Sequence, residues 1–143
     1  IDHSMVYGRF LRDLAHRSYH TSQSVLAKEY LLQAIQLLSG IVTERPESKI
    51  ALHDLSLSYF YYWDHNQNRL PDSSAGKWLQ RTHEALNPSG CTDLDLATRY
   101  AVMENRTGEA RVLAASLSAK GYREPDFMAF CSEHSLCPQA ATP

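Results

Sequence analysis

The sequence is poor in the residues that mark fibrous, low-complexity or disulfide-dense chains, with six glycines, six prolines and three cysteines in 143 residues. It also lacks an excess of charge of one sign, because 14 lysines and arginines stand against 16 aspartates and glutamates. A nearly neutral chain argues against nucleic acid as a partner, since general nucleic-acid binding requires basic residues to displace counterions. With 43% hydrophobic residues, the composition instead indicates one globular domain or a short array of repeats.

Long apolar runs and catalytic motifs are also missing. Gln, Ser and Lys interrupt the longest apolar stretches before they reach the ~20 residues of a membrane span. The sequence contains no GxGxxG or GxxxxGK[ST] phosphate loop, no HExxH zinc motif and no GxSxG nucleophile motif. We therefore expect a protein that is not an enzyme, binds no cofactor and has no membrane span within this chain.

Apolar residues recur at intervals of three and four along almost the whole chain, as they do in amphipathic helices. Leu52, Leu55 and Tyr59 form one such stripe, and no segment alternates with a period of two. Thr92 and Asp95 have the spacing of a capping box that opens the fifth helix. Breaks between helices are expected at residues 18–22, 46, 64–73, 87–90, 105–108 and 121. The pattern predicts an all-α fold with about seven helices.

Similar residues recur along the chain with a fixed period. Pro46 and Pro88 are 42 residues apart, as are Leu52 and Leu94, and a loop insertion within residues 64–73 accounts for eight of these positions. Without the insertion the period is 34 residues. A second series consists of the small residues Ala34, Gly76 and Ala110. The period predicts repeats of two helices each, which must stack because one helix pair cannot bury its own apolar face.

On these residues the chain resembles the tetratricopeptide repeat family, whose unit is a 34-residue helix-turn-helix. The family's usual tryptophan is absent, and Ser56 and Thr98 stand where it has glycine. The resemblance implies antiparallel helix-turn-helix repeats in a right-handed superhelix, from a bacterial membrane-anchored regulatory or envelope protein. Within one domain at 5–143, it gives a helix pair at 5–46, repeats at 47–88 and 89–122, and a capping helix at 123–137. Residues 1–4, which precede Met5, are interpreted as an appended remnant and carry no weight in the fold prediction.

The resemblance also implies a function, since such repeats bind a peptide or a partner protein in a concave groove. Transferred to this sequence, the groove positions of the first helix of each repeat give the partner-binding residues His53, Leu57, Phe60, Tyr61, Arg99, Val102 and Met103. Arg99 has the fork geometry to clamp a carboxylate or a backbone carbonyl. Phe60 and Tyr61 can alternatively cover a neighbouring repeat. A helical domain that self-associates, for example as a homodimer, is a further alternative.

The three cysteines allow two kinds of structural site. A disulfide can join Cys131 to Cys137 across an unwound helix end, or either of them to Cys91. Alternatively, Cys91, Cys131, His134 and Cys137 can form a zinc site of a small zinc-stabilised module. A disulfide requires an oxidising compartment, so it favours a periplasmic over a cytoplasmic location.

Two histidines on the first helix also have a spacing that suits a metal. His16 and His20 are four residues apart and therefore lie on one helix face. No HExxH motif accompanies them, and both lie near a polar helix end. We interpret them as solvated surface histidines and predict no metal site.

Overall fold

A computed structural model describes residues 3–21, 23–87 and 89–137 of the chain. Over these residues the protein is all-helical, as predicted, and has seven helices and no strand. The helices are α1 (His3–His20), α2 (Ser24–Glu44), α3 (Lys49–His65), α4 (Ala75–Glu84), α5 (Cys91–Met103), α6 (Thr107–Ala119) and α7 (Pro125–Glu133). They belong to two compact units, Ile1–Ala85 and Leu86–Pro143, which we describe separately.

Helix α1 is longer at both ends than the sequence predicts. It begins at His3, and Ile1 and Asp2 lie outside the described residues. The interpretation of residues 1–4 as an appended remnant stays a prediction. The helix also continues to His20 through the polar stretch that was expected to break it. Ser18 in this stretch is buried, so the stretch has an inner face in spite of its polar composition.

In the first unit, α1 and α2 form an antiparallel pair that packs closely at Gly8. A Cβ atom at Gly8 would lie 2.9 Å from Cγ of Leu38, which is buried in the second half of α2. The contact joins the start of one helix to the later part of the other, so the two run in opposite directions. The buried face of α2 consists of Ala27, Leu31, Ala34, Ile35, Leu38, Ile41 and Val42.

Helix α3 is held to α1 by ion pairs. The buried Asp54 accepts hydrogen bonds from Arg12 Nη1 at 2.9 Å and from Arg9 Nη2 at 2.8 Å. The hydrogen bond to Asp54 raises the pKa of Arg9 above its ordinary value, and the charge of that carboxylate acts in the same direction. Both oxygens of the carboxylate are thus used to join the two helices, and the buried acid is compensated.

Helix α4 packs on α3 through hydroxyl groups. Ser56 Oγ donates to Thr82 Oγ1 at 2.7 Å, and Thr82 in turn contacts the carbonyl oxygen of Trp78 at 2.8 Å. Ser56 is one of the two residues that replace the glycine of the resembled family, and here its side chain has a structural role. Gly76, which the repeat pattern aligns with Ala34 and Ala110, is exposed, whereas the neighbouring Ala75 is buried.

The second unit contains the α5–α6 pair and the short helix α7. Gly121, at the break predicted after the sixth helix, has φ +78°, the left-handed conformation that glycine commonly adopts after a helix end. Pro125 lies in the first turn of α7, where its missing N–H costs no helix hydrogen bond. Apolar side chains of the 123–137 segment are buried, namely those of Phe127, Phe130 and Leu136.

Two sequence-based details of the second unit have different outcomes. The capping box is wrong, because α5 begins at Cys91 with Gly90 as the N-cap, and Asp95 is buried inside the helix. Pro88, the predicted closing proline of a repeat, lies outside the described residues. The helices give no test of a right-handed superhelix, so that arrangement stays a prediction.

Candidate functional site

Four of the predicted partner-binding residues lie on α3, in the first unit. Phe60 and Tyr61 are buried, with exposed fractions of 1% and 6%, while His53 and Leu57 are half-buried. The Phe60 ring lies 6.0 Å from that of Trp63, and the Tyr61 ring stacks on His16 at 4.2 Å. The two aromatic residues therefore have packing contacts within their own unit, Phe60 with its own helix and Tyr61 with α1. Whether they bind a partner or cover a neighbouring repeat stays a prediction.

The other three predicted residues lie on α5, in the second unit. Arg99 is only 2% exposed; its Nε donates to Asp95 at 2.6 Å and its Nη2 to Asp126 at 3.1 Å. The guanidinium also lies 5.0 Å from the centre of the Phe130 ring. Val102 and Met103 are half-buried. The fork of Arg99 is thus directed at carboxylates of its own unit, and binding of a partner by these residues stays a prediction.

Asp95 is the centre of this buried network. Its second oxygen accepts a hydrogen bond from the Tyr122 hydroxyl at 2.7 Å. Burial raises the pKa of Tyr122 well above its ordinary value, and the hydrogen bond to Asp95 raises it further. The phenol therefore stays protonated and donates at any physiological pH. The network joins α5 to the segment around α7 through hydrogen bonds within the second unit.

The C-terminal cysteines form one of the disulfides left open by the sequence. Cys131 and Cys137 are bonded, with Cα atoms 5.2 Å apart. Helix α7 ends at Glu133 and Ser135 has φ +57°, so the chain turns back instead of continuing along the helix axis. Cys91 is half-buried and outside the disulfide. The bond uses two of the three sulfurs that the zinc alternative requires.

A histidine cluster lies where the ends of α1 and α3 meet, and it consists of His16, His20 and His65. His16 Nε2 is 3.3 Å from His20 Nε2, and His16 Nδ1 is 3.3 Å from His65 Nε2. His20 is exposed and His16 is half-buried. No local pattern joins His65 to the pair, because it lies 45 residues after His20.

Apolar side chains are exposed on the first half of α1, and we call Val6, Tyr7 and Phe10 the α1 patch. Their exposed fractions are 57%, 51% and 51%, and the rings of Tyr7 and Phe10 stack with centres 6.4 Å apart. By their spacing alone, Val6, Tyr7 and Phe10 would belong to an apolar face that packs against the neighbouring helix. The inner face instead contains Gly8, Leu11 and Ala15.

A cleft of about 750 Å³ adjoins the α1 patch at Tyr7. Its walls come from the start of α1 and the later part of α2, and they include Ser4, Tyr7, Leu37, Ile41, Glu44 and Arg45. Apolar side chains form part of the walls, and a carboxylate and a guanidinium lie at the end of α2. Such a combination suits a ligand with apolar side chains and a polar backbone.

Comparison with known proteins adds no relative, since no family model, curated protein or solved structure matches the chain. One described helix, α2, is long and apolar enough to cross a membrane by length and composition. Buried core helices and signal sequences meet the same criterion, so this is weak support for a span. The expected absence of a membrane span stays a prediction.

Proposed function

We propose that this chain is a non-enzymatic protein-interaction domain that binds an apolar segment of a partner protein. The α1 patch and the adjoining cleft are the binding surface. The observation that carries the proposal is the exposure of three large apolar side chains on one helix, two of them stacked on each other. Single exposed apolar residues are ordinary, but a contiguous group of them marks an interaction surface.

Helix geometry explains why the α1 patch is not a part of the core. Val6 and Phe10 are four residues apart and share one face, roughly opposite Leu11 and Ala15, which are buried. Because the inner face of α1 already packs within its unit, the outer face has no need of apolar residues for folding. A fold without a ligand would place polar side chains there.

The residues that line the cleft indicate which kind of partner can bind there. Tyr7 connects the α1 patch to walls that also contain Leu37 and Ile41, which offer apolar contacts. Glu44 and Arg45, at the end of α2, also line the cleft. The carboxylate of Glu44 can accept a hydrogen bond from a backbone N–H of a peptide, and the guanidinium of Arg45 can donate one to a backbone carbonyl. We therefore expect a peptide segment with two or more large apolar side chains, whose backbone polar groups meet this charged end.

Two buried carboxylates support the non-enzymatic part of the proposal. Asp54 and Asp95 are both compensated by arginines of their own units and hold helices together. Both oxygens of each carboxylate accept hydrogen bonds within the unit, which fits a structural role better than a catalytic one. The groove predicted from His53 to Met103 is an alternative location for the same function.

Selection of peptides from a displayed random library on the full chain tests the proposal. We expect selected peptides to be apolar and to bind the Tyr7→Ser/Phe10→Ser variant at least tenfold more weakly. Burial of one large apolar side chain contributes about 1.5–3 kcal/mol, and 1.4 kcal/mol is a factor of ten. The melting temperature should hardly change, because both side chains are about half exposed.

The matched control is Val112→Ser, which removes an exposed apolar side chain from α6 in the second unit. This variant should bind the selected peptides as the unaltered chain does. Equal binding by the Tyr7→Ser/Phe10→Ser variant would contradict the proposal. If only the unaltered chain shows a molecular mass that rises with concentration in light scattering, the partner is a second copy of this chain.

A further inference from the structure

The histidine cluster has a geometry that neither the core nor the proposed interaction requires. Its three imidazoles come from two helices of one unit and approach each other at 3.3 Å through two different nitrogens of His16. Aromatic rings hold two of them in place: Tyr61 stacks on His16 at 4.2 Å, and Tyr19 stacks on His65 at 3.8 Å. These stacks fix the rings of His16 and His65, while His20 is exposed at the edge of the cluster.

Two arrangements of protons satisfy both contacts with three neutral rings, because His16 can donate through either ring nitrogen. In one, His65 Nε2–H donates to His16 Nδ1, and His16 Nε2–H donates to His20 Nε2. In the other, His16 Nδ1–H donates to His65 Nε2, and His20 Nε2–H donates to His16 Nε2. In this arrangement His16 has its lone pair on Nε2, the nitrogen that faces His20. When an ion takes the lone pair of His16 Nε2, the Nδ1–H of His16 keeps His65 as its acceptor, as outer partners of metal-binding histidines do in proteins.

The distance between the two Nε2 atoms matches a pair of metal ligands. At a zinc–nitrogen bond length of about 2.0–2.1 Å, two ligand nitrogens of a tetrahedral ion lie about 3.3–3.4 Å apart. The Nε2 atoms of His16 and His20 are 3.3 Å apart. When the proton of His20 moves to Nδ1, both lone pairs are available to one ion that replaces the shared hydrogen.

We propose that His16 and His20 bind a divalent transition-metal ion such as Zn²⁺ through their Nε2 atoms, with His65 as a positioning residue. Imidazole ligands favour zinc, copper and nickel over magnesium or calcium. The i, i+4 spacing on α1 places both ligands on one helix face, and the exposure of His20 leaves the ion open to solvent. Water completes the coordination of the ion. The site lies at the opposite end of α1 from the α1 patch and does not depend on the proposed function.

Calorimetric titration of the full chain with zinc chloride tests the proposal. All measurements use the Cys91→Ser background without reductant, because a cysteine thiolate also binds zinc and the disulfide must stay intact. We expect one zinc ion per chain. His20→Gln should lower the affinity at least tenfold, and its exposed position leaves the fold unchanged.

His65→Phe tests the positioning role, because phenylalanine keeps an aromatic ring next to Tyr19 but cannot accept a hydrogen bond. Loss of such an outer partner typically lowers metal affinity 10–100-fold, and we expect a decrease in that range. The control is His53→Gln, a half-buried histidine of the same helix about 18 Å away along the axis. It should bind zinc as the background chain does.

Imidazole NMR resonances give a readout that does not depend on any variant folding. In the background chain, the Nε2 signals of His16 and His20 should shift with the first equivalent of zinc, before those of any other histidine. Unchanged affinity in His20→Gln, or first shifts at histidines outside the cluster, would overturn the proposal. Unchanged affinity in His65→Phe would overturn the positioning role of His65.

Discussion

Each unit contains a buried arginine–aspartate pair that joins its helices or helical turns. Asp54 receives two arginines of α1, and Asp95 receives Arg99 and Tyr122. A buried charge is tolerated because its partner compensates the lost hydration, so removal of one partner leaves an expensive uncompensated charge. Although arginine and aspartate usually lie on protein surfaces, we expect these buried ones to contribute strongly to the free energy of unfolding.

Arg99→Met should destabilise the chain strongly, by roughly 3–5 kcal/mol, since it leaves Asp95 buried without its cation. Chemical denaturation of the variant measures the change. Arg111→Met is the matched control, because Arg111 is exposed on α6, and it should alter the free energy of unfolding by less than about 0.5 kcal/mol. A stable Arg99→Met variant that loses peptide binding would instead support the role of Arg99 as a partner anchor.

Individual residues were the hardest part to predict from the sequence. Periodicity shows that Arg99 lies off the apolar stripe, but it cannot show that Asp126, 27 residues later, returns to meet its guanidinium. The same limit applied to His65, which joins His16 only through the packing of α3 on α1. Contacts over long sequence separation depend on tertiary packing, and a local pattern carries no information about them.

At the level of helices, the close contact of α1 and α2 leads to a second prediction. Gly8→Ala should destabilise the chain by about 1–2 kcal/mol, because the new methyl group would lie 2.9 Å from Cγ of the buried Leu38. Alanine's better helix propensity offsets only about 1 kcal/mol of the strain.

Gly40→Ala is the paired control on α2. A Cβ atom at Gly40 would meet no described atom within 4 Å, so the variant should gain about 0.5–1 kcal/mol from helix propensity alone. The melting temperature should therefore fall for Gly8→Ala and rise for Gly40→Ala. A Gly8→Ala chain that is as stable as Gly40→Ala would show that the two helices pack less closely than described.

Helix type and number were well predicted, whereas some helix ends were not. The three-and-four spacing of apolar residues is a local signal, and proline and glycine mark the ends clearly at Pro125 and Gly121. Two predicted helix ends were wrong. The polar residues around Ser18 do not end α1, and the spacing of Thr92 with Asp95 does not mark the start of α5. In both places a polar side chain is buried, which the local composition does not indicate. Propensity is a weak guide wherever a side chain is buried by a distant helix.

At the scale of the whole molecule, the chain consists of two compact units, and each has its own buried polar network. The α1 patch and the groove predicted from the repeat resemblance involve different units. The patch belongs wholly to the first unit, whereas the groove residues are divided between α3 and α5. The location of bound peptide therefore distinguishes the two.

The most direct test is backbone NMR of the isotope-labelled chain, titrated with a peptide selected on it. We expect amide shifts to concentrate in the first half of α1 and in the second half of α2, around Tyr7 and Ile41. Val112 and its neighbours in the second unit should stay unchanged. Shifts centred instead on His53 to Tyr61 of α3 and Arg99 to Met103 of α5 would contradict the α1 patch as the binding surface.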